Sequence, residues 1–235
     1  MVLPSYREAE NLRTLLPELR AVLRQMEVSA EVLVIDTQSA TDDTEAVCRE
    51  HGALCIRREG GDTYGDAIRT GFARAAGEYI VVMDADGSHE PAVILEFYRE
   101  MRTGKYDLII GSRYCRGGST DNNLLLRLMS RVLNLSYRVV FGLRVRDVSD
   151  SFRMYRGEQV KAIRLECRNF DIVEEILITL SCTVKGFSAK EVPIRFQKRA
   201  AGESKRDLLR FIGTYLQTMR RLMRIKRRQT IAKRG

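Results

Sequence analysis

No apolar run in this 235-residue chain approaches the roughly 20 residues that a membrane-spanning helix needs; Tyr79 to Met83 is among the longest. No transmembrane helix is therefore expected. The N-terminus lacks a basic segment followed by an apolar one, which leaves no secretion signal and points to the cytoplasm. Cys48, Cys55, Cys115, Cys167 and Cys182 form an odd set without a Cys-x-x-Cys pair. A disulfide framework and a zinc site are both disfavoured, and the thiols read as reduced. His51 and His89 are the only histidines, too few for a histidine-rich metal site. There is no Gly-x-x-x-x-Gly-Lys-[ST], no Gly-x-Gly-x-x-Gly after the first strand, and no Ser or Cys in a nucleophile-elbow context. P-loop kinases, dinucleotide enzymes and serine or cysteine hydrolases are disfavoured accordingly.

What is present suits one catalytic-sized domain: 44% of residues are hydrophobic, enough for one sizeable core at this length. The net charge of +9 is unevenly placed. From Arg195 onward the chain carries +12, which leaves −3 on residues 1–194. A basic tail on a mildly acidic body points to an anionic surface met by the C-terminus.

Short apolar runs at Glu31–Ile35, Tyr79–Met83 and Asp107–Ile110 alternate with segments of helical period. Leu12, Leu15, Leu16, Leu19, Val22 and Leu23 form one such segment, Ala67 to Ala75 another, and Ala92 to Met101 a third, led by Pro91. The alternation predicts an α/β fold with a largely parallel sheet, whose ligands gather at the carboxyl ends of the strands. Helices are also expected over Leu124–Val140 and Val173–Leu180, and a late strand over Glu191–Phe196, with Pro193 favouring an edge or terminal position. The first strand, Met1 to Leu3, is short, which suggests a trimmed start.

At the end of the second of these strands stands "VVMDADGSHEP" (81–91). Asp84 and Asp86 can place two carboxylates around a hard divalent cation, with substrate phosphates completing its shell. Alone, the pattern suits turn and helix-cap chemistry equally well.

Five further segments stand in order around it: "LPSYREAENL" (3–12), "IIGSRYCRGG" (109–118), "DVSDSFRMYR" (147–156), "EVPIRF" (191–196) and "RAAGESK" (199–205). Together they resemble family 2 glycosyltransferases, nearest the dolichol-phosphate mannose synthase group, from Leu3 to about Lys205. The resemblance implies a GT-A fold with a Rossmann-like, mostly parallel sheet flanked by helices, and a divalent cofactor, Mg²⁺ or Mn²⁺. It implies a nucleotide-sugar donor and a polyprenyl phosphate acceptor, with GDP-mannose as the family-nearest donor. By the same resemblance Pro4, Tyr6, Glu8, Ile35 and Asp36 contact the nucleotide, and Asp84, Ala85 and Asp86 form the metal and diphosphate element. Arg113, Arg199 and Lys205 meet the donor and its phosphates. Catalysis is then assigned to Asp84, Asp86, Arg113, Arg199 and Lys205, and the metal to Asp84 and Asp86. Arg supplies a planar fork for phosphate oxygens and Lys a mobile point charge, consistent with those assignments. His89 reads as a local hydrogen-bond former rather than a ligand.

The chain departs from that family in three places. "IDTQSATDDT" (35–44) keeps Asp36, puts Thr37 where a second Asp is usual, and adds a residue before Asp42 and Asp43, which leaves UDP-sugars open beside GDP-mannose. Ser88 stands where some relatives carry Gln, and Asp150 where Gly or Ser is usual.

A phosphate acceptor is already anionic and needs no strong general base. A hydroxyl acceptor needs one, for which Asp147, Asp150 and Asp171 are candidates. A nucleotide-sugar binding module without turnover is a further alternative, and nucleic acid is disfavoured because no RNA-binding aromatic signature accompanies the basic tail. The catalytic domain is expected over residues 1–206 and a basic amphipathic helix and tail over 207–235. Leu208, Ile212, Tyr215, Met219 and Leu222 form an apolar stripe beside Arg210, Arg220, Arg221, Arg224 and Arg227. That helix either docks on the core or rests on an anionic membrane surface, placing the protein at the cytoplasmic face of a membrane, alone or through a small membrane subunit.

Overall fold

The computed structural model describes residues 1–197 and 217–228. Its centre is a seven-stranded sheet in the order β3-β2-β1-β4-β7-β5-β8. The strands are β1 (Val2–Pro4), β2 (Leu33–Asp36), β3 (Leu54–Arg57), β4 (Tyr79–Val82), β5 (Leu108–Ser112), β7 (Arg153–Arg156) and β8 (Ala189–Pro193). All neighbours pair in parallel except β7, which runs antiparallel between β4 and β5. A small second sheet pairs β6 (Ser119–Thr120) with β9 (Arg195–Phe196).

Period-two alternation divides the strand side chains between two cores. Leu3, Val34, Val81, Ile109, Met154 and Val192 face α1 (Ala9–Gln25), α2 (Thr44–Glu50) and α4 (Val93–Arg102), meeting Leu12, Leu16, Val47 and Phe97. Val2, Ile35, Val82, Ile110 and Tyr155 face α3 (Tyr64–Arg74), α5 (Leu124–Phe141) and α7 (Ile172–Thr183), meeting Ile68, Phe72, Tyr137 and Leu177. A short α6 (Gly157–Ala162) follows β7. This is the mostly parallel α/β architecture expected from the alternation.

Five elements were not anticipated: α2, β3, β6, β7 and α6. β3 and α2 lie in a polar stretch, and β7 carries an arginine at each end. The expected late strand is divided: β8 ends at Pro193 on the sheet edge, and after Ile194 the chain joins β6 instead. The short first strand, by contrast, is an interior one, hydrogen-bonded to β2 and β4.

The start of α3 is fixed by a reciprocal cap. Thr63 Oγ1 accepts from the Asp66 amide at 3.3 Å, while Asp66 Oδ2 accepts from the Thr63 amide at 3.0 Å. Gly65 lies against residues 167–168: its amide donates to the Arg168 carbonyl at 2.6 Å, and a Cβ there would stand 2.4 Å from the Cys167 carbonyl oxygen. Backbone cannot yield cheaply, so Gly65→Ala is expected to destabilise the fold by about 1–3 kcal/mol. Urea denaturation measures it, and an unchanged midpoint would show that the 167–168 segment moves freely.

Residues 217–228 are helical. Met219, Leu222 and Ile225 are buried in the α3/α5/α7 core, Arg221 Nη1 donates to Asp171 Oδ2 at 3.1 Å, and Lys226 Nζ donates to the Phe141 carbonyl at 2.9 Å. For Met219 and Leu222 this is the docked alternative, because these positions of the stripe have a protein partner. The 206/207 boundary, Leu208, Arg210, Ile212 and Tyr215 lie outside the described residues.

Candidate active site

The carboxyl ends of β2, β1 and β4, three neighbours in the sheet, bring together the two segments expected to share a ligand. Pro4 closes β1, and Ile35 and Asp36 close β2. The loop after β1 leaves Tyr6 56% exposed, and Glu8 stands at the start of α1, where Oε2 accepts from Asn11 Nδ2. The Ser5 amide donates to the Ile35 carbonyl at 3.0 Å, tying the two strand ends. Arg58, buried beneath them, donates to the Ser5 carbonyl and to the Asp62 carbonyl.

Asp36 is buried, and Oδ2 accepts from Arg57 Nη1 at 2.7 Å. Burial pushes its carboxyl above the usual range, partly opposed by the Thr37 backbone and Arg57. Oδ1 has no hydrogen-bond partner among the described residues. The altered segment that follows has a structural task. Asp42 Oδ2 accepts from the Ala9 amide at 3.0 Å and Oδ1 from the Thr44 amide at 3.1 Å, so one carboxylate joins the first turns of α1 and α2. These bonds outweigh burial and hold its pKa below the ordinary value.

Asp84 and Asp86 follow β4. Two side chains distant in sequence orient Asp84: Tyr64 Oη donates to Oδ1 at 3.1 Å and Ser151 Oγ to Oδ2 at 2.8 Å. Burial pushes the Asp84 carboxyl up, His89 opposes it, and the neighbouring Asp86 adds to it. Asp86 Oδ1 accepts from the Ser88 amide and hydroxyl. Between them Gly87 takes φ +74°, a left-handed turn suited to glycine. Ala85 is buried. Tyr64 and Ser151 carried no local signal as site residues. Ser88, which stands where some relatives carry Gln, holds Asp86.

His89 lies deeper, its ring 4.9 Å from Phe152 and 5.4 Å from Phe196. Nε2 stands 3.3 Å from Asp150 Oδ1, a carboxylate distant in sequence rather than a local partner. Arg113, at the end of β5, also faces inward: Nε and Nη2 donate to Asp147 at 2.8 and 2.7 Å, Nη2 donates to Ser149 Oγ, and Nε lies 3.3 Å from Asp150 Oδ2. The unusual Asp150 thus sits between an imidazole and a guanidinium. Arg199 and Lys205 lie outside the described residues.

The pair implies a pH signature. Burial disfavours the His89 imidazolium, yet Asp150 more than offsets this and its pKa rises; burial raises the Asp150 carboxyl, yet His89 and then Arg113 bring it below the ordinary value. The histidine contribution is full below about pH 6.5 and fades as pH climbs through the raised pKa, while the aspartate contribution is full above about pH 3.9 and fades in acid. Asp150→Asn should therefore destabilise the fold by about 1–3 kcal/mol near pH 5.5. The gap to the parent should narrow toward pH 8, where Arg113 alone still favours the carboxylate. Denaturant midpoints at the two pH values measure this, and a gap that widens toward pH 8 contradicts the pairing.

Among the described residues no cluster of three or more His, Cys, Asp or Glu could hold a metal by itself. Two hard carboxylates at one strand end fit instead a cation whose remaining ligands come from a diphosphate. Surface hollows beside Met26 and Tyr98, and beside Glu31 and Glu78, lie toward the opposite ends of the strands and do not include Asp84 or Asp86.

The chain is 33% identical over 233 residues to a dolichol-phosphate mannosyltransferase of Pyrococcus furiosus, covering 95% of this chain and 63% of that protein. It is 32% identical over 216 residues to an undecaprenyl-phosphate mannosyltransferase of Micrococcus luteus, covering 87% and 85%. Glucosyl-3-phosphoglycerate synthase of Mycobacterium tuberculosis, solved with Mn²⁺, uridine diphosphate and phosphoglyceric acid, superposes with a TM-score of 0.71 at 18% identity, over 93% of this chain and 74% of that one. That likeness shows a shared fold. Residues 1–164 match the model of glycosyl transferase family 2, and the chain belongs to that family.

Proposed function

We propose that the protein transfers a sugar from a nucleotide-sugar to a polyprenyl phosphate, with GDP-mannose as the first donor to test and UDP-sugars as the alternative. The donor nucleotide lies across the ends of β1 and β2, against Pro4, Tyr6, Glu8, Ile35 and Asp36. Its diphosphate faces Asp84, Ala85 and Asp86, which would hold Mg²⁺ or Mn²⁺. When bound, the cation neutralises charge that builds on the leaving diphosphate. Tyr64, Ser151 and Ser88 keep the two carboxylates aimed, and Arg199 and Lys205 add positive charge, Arg113 being paired with Asp147 and Asp150. Both mannosyltransferase relatives support the reading, since each is named for a polyprenyl phosphate.

The observation that favours a phosphate over a hydroxyl acceptor is the state of the candidate bases. Asp147 is fully buried and bridged to Arg113, and Asp150 faces His89 and Arg113. Asp171 accepts from the Asn169 amide, Arg221 and Thr218. Each carboxylate is engaged, and an anionic acceptor attacks without one. Displacement is direct and inverts the anomeric centre, with catalysis through positioning and charge stabilisation.

The decisive experiment crosses GDP-mannose, UDP-glucose and related donors with a polyprenyl phosphate and with free glycans. Transfer to the lipid phosphate is expected; transfer to free glycans alone ends the reading. No helix among the described residues is long and apolar enough to cross a membrane. A lipid-borne acceptor would place the protein at the cytoplasmic face of a membrane, by peripheral contact or through a membrane subunit.

A further inference from the structure

Phe170 is an exposed aromatic side chain that leans on the support of Asp84. It keeps 55% of its surface open, yet its ring stacks on Tyr64 with 4.2 Å between centroids and 23° between planes. Tyr64 Oη in turn donates to Asp84 Oδ1 at 3.1 Å. One aromatic ring therefore separates Phe170 from a carboxylate of the candidate metal pair. Single exposed apolar residues are ordinary on a protein surface. This one is set apart by its place beside the site and by how firmly it is held.

The segment that carries Phe170 has no regular structure, and its neighbours fix it residue by residue. Glu175 Oε1 and Oε2 accept from the Glu166 and Cys167 amides at 2.8 Å each, and Arg69 Nη1 donates to the Cys167 carbonyl at 2.7 Å. The Gly65 amide holds the Arg168 carbonyl, and the Asn169 amide donates to Asp171 Oδ1 at 3.0 Å. The Phe170 carbonyl accepts from the Val173 amide as α7 begins. A loop pinned from Glu166 to Phe170 presents its side chains as a regular element would. With the ring already placed, a ligand that meets it has little ordering cost left to overcome.

What lies against the ring follows from the order of parts in a nucleotide-sugar. With the nucleotide across the ends of β1 and β2 and the diphosphate at Asp84 and Asp86, the sugar is the part that extends past the diphosphate. The face of an aromatic ring carries partial negative charge, from which a phosphate gains nothing. The C–H groups on one side of a pyranose, polarised by the neighbouring oxygens, are complementary to it. The residues before Phe170, Arg168 and Asn169, are exposed and polar, which suits the rim of a sugar better than an isoprene chain.

We propose that Phe170 is a specificity-determining contact whose open face stacks against the pyranose ring of the donor. The proposal rests on the nucleotide-sugar reading of this site and adds to it a residue that no local motif marks. Tyr64 then serves two groups at once, its ring backing Phe170 and its hydroxyl aiming Asp84.

The test is calorimetric titration of the full chain, in Mn²⁺, with GDP-mannose against GDP and with UDP-glucose against UDP. Phe170→Ala should weaken binding of the nucleotide-sugar that the parent takes by about tenfold. It should leave the matching nucleoside diphosphate within about twofold of the parent, because base, phosphates and cation are held by other residues. Phe170→Tyr keeps the ring and should restore the parent's affinity; Phe170→Leu keeps apolar bulk without a π face and should not. The proposal is overturned if the parent binds neither nucleotide-sugar, if Phe170→Ala binds like the parent, or if Leu restores binding as well as Tyr. It is also overturned if nucleotide-sugar and nucleoside diphosphate weaken together, the mark of a structural role through Tyr64 and Asp84, or if only the KM for the acceptor rises. Transfer assays keep the outcome apart from the acceptor assignment. A parent that transfers to free glycans alone, yet shows the Phe170→Ala split, keeps the stack and removes the lipid phosphate. A parent that transfers to the lipid phosphate and shows no split removes the stack and leaves the acceptor in place.

Discussion

Replacing Asp84 with Asn, or Asp86 with Ala, is expected to lower sugar transfer by at least about 100-fold, the scale seen when one preorganised charge-stabilising group is removed from an active site. Chelation of divalent metal should produce a comparable loss. These carboxylates follow β4 beside the carboxyl ends of β1 and β2, and other side chains hold each in place: Tyr64 and Ser151 on Asp84, Ser88 on Asp86. Asn at position 84 keeps the shape and one acceptor but loses the charge, so folding should survive while turnover does not. Because burial raises the Asp84 pKa, protons compete with a cation there at higher pH than they would at an exposed aspartate. Metal dependence should therefore steepen as pH falls, with more metal needed at pH 5.5 than at pH 7.5. Full turnover by either variant, or in chelator, would remove the metal from the proposal. Tyr64→Phe and Ser151→Ala offer a graded control, since each removes one hydrogen bond to Asp84 and leaves the carboxylate.

The largest effect on stability should come from Arg153→Ala. This side chain is 0% exposed, yet its guanidinium makes three hydrogen bonds to backbone: Nε to the Asp150 carbonyl, Nη1 to Val173 and Nη2 to Val148, each at 2.8 Å. It closes the 148–153 loop on itself and joins that loop to the first turn of α7. Truncation leaves three buried acceptors without these donors and opens a void, and buried unsatisfied groups cost about 1–3 kcal/mol each. A loss of about 4 kcal/mol or more is expected, a large share of the roughly 5–15 kcal/mol that holds a typical domain together. Chemical denaturation with an unchanged slope measures it, and a loss below about 1 kcal/mol would mean that water replaces the guanidinium without strain. Arg153→Lys should recover only part, because an ammonium cannot span three carbonyls arranged for a planar fork.

Arg153 also shows where reading charge from sequence reaches its limit. In "SFRMYR" it looks like surface, and β7 looks too polar for a strand between β4 and β5. Packing reverses both, because three carbonyls satisfy the guanidinium and the neighbours Met154 and Tyr155 fill opposite cores. The tail behaves similarly. Its apolar period is local and legible, but whether Met219, Leu222 and Ile225 meet lipid or protein depends on whether α3, α5 and α7 leave room for them, and they do. On α5 the reverse holds, since period alone does not distinguish its buried side from its exposed one.

By itself the sequence determined the alternation of strand and helix and the family, and it singled out the Asp84/Asp86 and Pro4-to-Glu8 segments. Each of these is written in contiguous residues, as apolar period or as a motif within one loop. Tertiary structure alone decided that Tyr64 and Ser151, 20 and 67 residues from Asp84, would hold that carboxylate. It alone engaged Asp147 and Asp150 with Arg113, tied α1 to α2 through Asp42, and left one side of α5 uncovered. Those outcomes follow from strand order and from helix packing, which bring distant residues to one place and which no local period encodes.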